Sequence, residues 1–380
     1  MTSPVPFNRP YLTGREMGHV ERAISSRRLA SRGEFTGRCE RWLEDRVGCG
    51  RAYLAKSGTS ALEAAALLAG VGPGDEVVMP SFTYVTTATA FALRGATPVF
   101  VDIEPLTLTI DPERAAAAIT PATKAIVAVH YAGVGCDMDA MRALADEHGL
   151  ILIEDAALAL LSTFRDQPIG GLGDLAAVSF HETKNLTSGE GGALLVNDRD
   201  LRERAEIVWE KGTDRTAFDR GAVDKYQWVG LGSAFGANEV TAAFLWGQLE
   251  CADEITERRR LIWDAYHEAF ADLERDGLLR RPVVPSDRTH NAHLYYLLLP
   301  ESQPRAGFID ALAARGVHAV FHYVPLHSAP AGLEFGRAQG ELDHTDRLSA
   351  QLVRLPLWTG MGPVETDRVI EAVREAVGSR

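Results

Sequence analysis

Cysteine is scarce in this chain: Cys39, Cys49, Cys136 and Cys251 are the four in 380 residues, and no two form a CxxC pair. That argues against a disulfide framework or a cysteine-based zinc site, so no metal is expected and a reducing, cytoplasmic compartment is. Basic charge is in deficit as well. Lys and Arg number 39 against 52 Asp and Glu, a net charge of −13, the wrong sign for holding a nucleic-acid backbone. No uncharged apolar run is long enough to cross a bilayer, and the opening Met1-Thr2-Ser3-Pro4-Val5-Pro6 lacks the basic-then-apolar order of a secretory signal. Neither nucleic acid nor a membrane is an expected partner. The sequence shows no internal repeat, and no low-complexity segment beyond alanine-rich helices.

The content that remains, 46% hydrophobic and 24% charged, is that of an ordinary globular protein. At 380 residues the chain exceeds the size at which one core stops growing, so two units are expected. From Arg51 onward strand-like and helix-like segments alternate: Ala52–Ala55, Asp75–Pro80, Thr97–Asp102 and Lys124–His130, with helices at Val85–Leu93, Arg114–Ile119 and Met138–His148 between or after them. Such alternation predicts an α/β unit with a mostly parallel sheet. Ala237–Arg260 reads as one long helix leading into a second, α+β unit with strands at Asn291–Leu299 and Val317–Tyr323 and a closing helix at Val364–Val377. The expected division is residues 1–250, an N-terminal arm and large domain, and 251–380, a smaller domain.

Two stretches carry chemistry. Val178–Gly192 holds Lys184 in a turn between two strand-like runs. A lysine enclosed there has its pKa lowered by desolvation and becomes a nucleophile toward carbonyls; a surface turn with a solvated lysine is the alternative. The apolar run Leu150–Ile153 ends in Glu154-Asp155-Ala156-Ala157, and an acid at the carboxyl end of a buried parallel strand is a site candidate. A helix N-cap is the competing role for Asp155. Upstream, Ser57-Gly58-Thr59-Ser60 opens the helix Ala61–Leu68, with Ser60 and Glu63 spaced as a capping box. A glycine-containing turn at a helix start suits a phosphate. Lysine, carboxylate and phosphate loop together are what pyridoxal 5′-phosphate (PLP) needs, the carboxylate pairing with the ring nitrogen. Tyr84, just past a strand, is read as a platform for an aromatic ring or as core.

With these stretches in view, the chain resembles the DegT/DnrJ/EryC1/StrS family of sugar-nucleotide aminotransferases. The resemblance is carried by Ser57–Leu62, Gly74–Val77, Glu154–Ala157, Ser179–Gly192 and Tyr323–His327. It implies fold type I, aspartate-aminotransferase-like, with a mostly parallel seven-stranded sheet in the large domain. Val129–Gly133, Phe180–Asn185, Glu210–Thr213, Val223–Tyr226 and Ala319–Tyr323 are similar to the branch that makes dTDP-4-amino-4,6-dideoxygalactose. That implies amination of the C4 ketone of dTDP-4-keto-6-deoxyglucose, with L-glutamate as donor.

The resemblance further implies that Lys184 bonds covalently to PLP and Asp155 pairs with its ring nitrogen. Lysine at 184, where dehydratase members of the family carry histidine, implies amino transfer. Gly58, Thr59, Ser60 and Ser179 would hold the phosphate, and Tyr84 would cover the ring. Tyr323 and His327 match a segment near the sugar-nucleotide pocket, with packing as the alternative. Lys211 and Arg220, with Arg27 and Arg28, are candidates for the diphosphate, or else ordinary surface charges. The resemblance implies a homodimer with shared active sites. Two positions depart from the family pattern: Leu158 stands where glutamine is usual, and Gly236 where a phosphate-binding asparagine is usual.

Overall fold

The computed structural model describes residues 3–378. Its strands are β1 (Arg51–Ala55), β2 (Glu76–Pro80), β3 (Thr97–Val101), β4 (Thr123–Val129) and β5 (Ile151–Asp155). Two-residue β6 (Thr163–Phe164) and β7 (Gln167–Pro168) precede β8 (Leu175–Ser179) and β9 (Gly192–Val196). The last are β10 (Arg288–Thr289), β11 (Tyr295–Leu298), β12 (Arg337–Ala338) and β13 (Leu352–Leu355). The main sheet runs β1-β9-β8-β5-β4-β2-β3-β12.

Every pairing in that sheet is parallel except those of β9, which lies antiparallel between β1 and β8. Seven strands match the expected number. The eighth, β12, is a two-residue segment from the C-terminal third that pairs with β3 through Arg337 and Ala338. Strands such as β4 and β5 are apolar along nearly their whole length because helices cover both faces. Val127, Leu152 and Ile153 are fully buried.

Three expected elements differ in the structure. The helix expected over Ala237–Arg260 is two, Glu239–Leu249 and Ala252–Ala269. Its break follows from the end of the first being tied down: Gln248 donates to the carbonyl of Tyr11 and to Glu16, and Gly247 packs on the Glu16 backbone. Val317–Tyr323 is not a strand but makes isolated bridges from Val317 to Val5 and from Val320 to Arg354. Tyr323 turns away at φ 47°, a left-handed conformation that ends any extended run. The helix after β1 begins at Gly58, and the Ser57 side chain accepts from the Ser60 N–H. The cap therefore lies three residues before Ser60, and the expected Ser60–Glu63 box is not used.

Two cores result. One surrounds the main sheet. The other gathers Ile262, Trp263 and Tyr266 with β11, β13 and the closing helix Pro363–Gly378, and takes in Val5 from the N-terminal arm. The expected boundary at residue 250 falls in the turn between the helices Glu239–Leu249 and Ala252–Ala269. A smaller cluster gathers Phe82, Tyr131 and Leu158 with Leu294 and Tyr296 of the C-terminal part. Among the described residues no helix is long and apolar enough to cross a membrane.

Candidate active site

The site lies beyond the carboxyl ends of β5 and β8, neighbours in the sheet. There the strand order runs one way through β4 and the other through β8, where parallel α/β sheets open a crevice. Asp155 closes β5 and is 6% exposed. Its Oδ2 accepts from the Thr87 hydroxyl at 2.7 Å and its Oδ1 from the Ala157 N–H at 3.2 Å. Residues 157–161 form turns, not a helix, so Asp155 caps nothing and its carboxylate is held by Thr87 from the facing helix Val85–Ala92.

Lys184 sits in the loop joining β8 to β9. The loop is stitched by its own backbone: Phe180 N–H to Gly191 O, Ser188 N–H to Phe180 O, Glu182 N–H to Gly189 O and Lys184 N–H to His181 O. Phe180 and Leu186 anchor it in the core. Lys184 lines a cavity with Ser179, Phe180, Leu158, Asn185 and His293. Burial pulls its ammonium down to about 8; the carboxylate of Asp155 resists that shift and the charge of Arg354 adds to it. Lys184 itself is half-buried, between the enclosed and the solvated reading.

The helix Gly58–Ala69 starts beside the end of β8. A Cβ on Gly58 would stand 3.0 Å from the Cβ of Ser179 and 3.4 Å from its hydroxyl. One on Gly192 would overlap the Ser57 carbonyl carbon at 2.4 Å. Glycine at these positions lets the helix start and the β8–β9 ends meet, gathering Gly58, Thr59, Ser60 and Ser179 around amides at a positive dipole end. This cradle, a partly desolvated lysine and a fixed carboxylate together fit PLP.

Tyr84 immediately precedes the helix that carries Thr87 and is 56% exposed. Its ring centre is 6.3 Å from that of Tyr323, which stacks on His322 at 3.6 Å. Burial raises the Tyr323 phenol, Arg354 lowers it, and Asp155 and Tyr84 raise it further, so Tyr323 belongs to this cluster. His327 does not. Its Nδ1 lies 2.8 Å from the Ser81 hydroxyl and its Nε2 3.4 Å from Asp346, contacts that seat the C-terminal segment on the end of β2. Lys211 faces Glu210 at 3.9 Å and Arg220 forms a two-pronged pair with Glu206 at 2.6 and 2.9 Å. Both stand on the surface apart from the Lys184 cavity. Gly236, where the family pattern has asparagine, bridges β1 at Ala55.

Four residues that the sequence did not single out complete the site: Thr87, Asn185, His293 and Arg354. Arg354 on β13 is half-buried, with a buried Nε that is unpartnered among the described residues, and its guanidinium lies 4.7 Å from the Phe7 ring. It shares a second cavity with Asn8, Thr183, Arg259 and His293. The signal was faint: one arginine in Leu352–Leu355, otherwise apolar. No periodicity marks such a residue, because its role depends on lacking a partner.

The model of the DegT/DnrJ/EryC1/StrS aminotransferase family matches residues 10–374. The chain is 35% identical over 381 residues to the spore coat polysaccharide biosynthesis protein SpsC of Bacillus subtilis (strain 168), covering 98% of this chain and 97% of that protein. It superposes on DesV of S. venezuelae, solved in complex with a ketimine intermediate, with TM-score 0.90, 32% identity and all of both chains covered. Spr1654 of Streptococcus pneumoniae, solved in a PLP form, gives TM-score 0.89 at 26% identity over 99% of each chain.

Proposed function

The chain belongs to the DegT/DnrJ/EryC1/StrS family of PLP-dependent sugar aminotransferases, fold type I, and we propose that it moves an amino group from L-glutamate to the C4 ketone of dTDP-4-keto-6-deoxyglucose. The products are a dTDP-4-amino-4,6-dideoxyhexose and 2-oxoglutarate. One observation carries the reading: Asp155, fixed by Thr87 at the end of β5, and Lys184, just beyond the end of the neighbouring β8, stand close enough for the carboxylate to act on the amine's charge. The choice of carbon and nucleotide rests on the resemblance of Phe180–Asn185 and Ala319–Tyr323 to the C4-aminating branch.

Bound PLP supplies an electron sink for the carbon–hydrogen bond broken in the donor. The Lys184 Nζ would hold the cofactor covalently and, as a free amine with a pKa of about 8, near working pH, would serve as base and then acid for the proton of the donor's α-carbon. Asp155 would pair with the ring nitrogen, and Ser179, Thr59, Ser60 and the amides after Gly58 would hold the phosphate. Arg354, a half-buried cation with an unpartnered Nε, would supply the charge for the donor's carboxylate. Tyr84 and Tyr323 border the open side, where the sugar nucleotide enters; Lys211, Arg220 and His327 remain candidates for its outer contacts.

A homodimer with shared sites is part of this reading. Trp228 is 77% exposed and Leu231 61%, and surfaces of that kind mark association sites. Tyr84, beside the site, is also left open in a single chain. The deciding experiment incubates the protein with dTDP-4-keto-6-deoxyglucose and L-glutamate, follows the amino sugar by mass and reads C4 stereochemistry by NMR. Turnover of a 3-keto isomer at a higher kcat/KM would move the reading to C3.

A further inference from the structure

Arg259 and Arg354 line one cavity, together with Asn8, Thr183, His293 and apolar side chains, and no carboxylate is among its walls. Arg259, on the helix Ala252–Ala269, is 3% exposed. Its Nε donates to the Ala292 carbonyl at 3.1 Å and its Nη2 to those of His293 and Leu357 at 2.6 and 3.2 Å. Its Nη1 donates to nothing among the described residues. The Arg354 side chain makes no hydrogen bond among them and rests on the Phe7 ring. Neither arginine has an acid as ion-pair partner among the described residues.

Three carbonyls satisfy hydrogen bonds of Arg259 but do not cancel its charge. A charge taken out of water without a counter-charge is costly, and burial, then the like charge of Arg354, both oppose the Arg259 cation. The missing negative charge is one a ligand can bring. The free space is about 10 Å³, that of one water-sized group. A carboxylate can set a single oxygen there; a phosphate with three cannot. The pocket also adjoins the reacting lysine: Thr183 precedes Lys184, and His293 lines the Lys184 cavity as well. Arg354 acts on both Lys184 and Arg259, while Arg259 is not among the charges acting on Lys184. Arg354 is thus the nearer cation to the lysine and Arg259 the farther.

We propose that Arg259 selects the amino donor: with the donor's α-carboxylate on Arg354, its second carboxylate sets one oxygen into this pocket and accepts a hydrogen bond from the Arg259 Nη1. A dicarboxylic amino acid brings the negative charge that the pocket lacks. Its amide, or a neutral amino acid of the same length, leaves the buried cation uncompensated and binds more weakly for that reason. This rests on the aminotransfer reading and on Arg354 as the partner of the donor's carboxylate.

One titration and two variants test it. The wild-type holoenzyme is titrated calorimetrically with glutarate, which is L-glutamate without its amine, and with valerate, which lacks the second charge. Glutarate is expected to bind about 10- to 100-fold more tightly, the worth of one hydrogen bond to a charged group; equal affinities overturn the proposal. In R259Q the ratio of kcat/KM for L-glutamate to that for L-glutamine, read in the donor half-reaction, is expected to fall by the same factor. A folded R259Q with the wild-type ratio overturns it. R259K keeps a cation and is expected to keep the preference. A loss as complete as in R259Q assigns Arg259 to holding backbone carbonyls alone and overturns the proposal. Should R259Q not fold, the wild-type titration still decides. Glutarate binding is read without turnover, so its failure is distinguishable from failure of the aminotransfer reading.

Discussion

The hydroxyl of Thr87 donates to the Oδ2 of Asp155 over 2.7 Å, with the Thr83 hydroxyl 2.9 Å behind it. A threonine at the start of one helix thus sets the rotamer of the acid that faces Lys184. Thr87→Val keeps the shape and removes the donor. It is expected to cost roughly 1.5–3 kcal/mol of stability, the range for a hydrogen bond to a charged group, and to lower kcat while PLP still binds. Denaturant unfolding and cofactor titration separate the two effects; an unchanged kcat would mean that Thr87 does not position the acid.

Replacing Lys184 removes both nucleophile and proton carrier. Lys184→Ala is expected to lose at least about 100- to 10,000-fold in kcat, the span of general acid–base contributions, along with the near-visible absorbance of covalently held PLP. Lys184→Arg should fare no better, since a guanidinium is never deprotonated in this pH range. Single-turnover assays and absorbance spectra check both.

Gly192→Ala tests the phosphate cradle. A Cβ there would lie 2.4 Å from the Ser57 carbonyl carbon and 2.5 Å from the Gly58 nitrogen, both backbone atoms that cannot swing aside. Overpacking of this kind costs about 1–3 kcal/mol, and PLP affinity should fall because the helix start must move. Equilibrium dialysis against PLP gives the answer.

Arg354→Met preserves bulk while removing the half-buried cation. KM for L-glutamate is expected to rise about 10- to 100-fold, the equivalent of one charged hydrogen bond, with the ketone half-reaction little affected. Equal losses in both half-reactions would assign Arg354 to packing.

His290 makes stability pH-dependent. Burial lowers its pKa to about 4 from an ordinary 6.5, with Arg260 and His267 adding to the shift. The unfolded chain therefore binds this proton more readily, so the contribution is complete above pH 6.5 and is lost as pH falls toward 4. Thermal midpoints at pH 7.5 and 5 should differ more for the wild type than for His290→Gln.

The helices Val85–Ala92 and Met138–His148 stand close to where alternation of apolar and polar residues put them, because their patterns and end signals are local. The long helix did not survive because Gln248 and Gly247 lie against the N-terminal arm, a contact no local pattern announces. Val317–Tyr323 has a strand's composition, yet the backbone at Tyr323 is left-handed and the stretch has only single-residue bridges for partners. Lys184 and Asp155 were legible as residue types at strand ends. Lys211 and Arg220 were picked as cations, but the folded chain places acids beside each.

The sequence alone determined the α/β class, and it pointed to the lysine, the acid and the glycine-containing turn, since each depends on neighbours within a few residues. Only the tertiary structure decided that Thr87, His293 and Arg354 converge on Lys184. Those residues come from a helix, a loop and a strand separated by tens to hundreds of positions. Their meeting depends on the β5–β8 adjacency and on how the second core docks. Whether a buried group ends up paired or free is a property of that docking, and composition does not encode it.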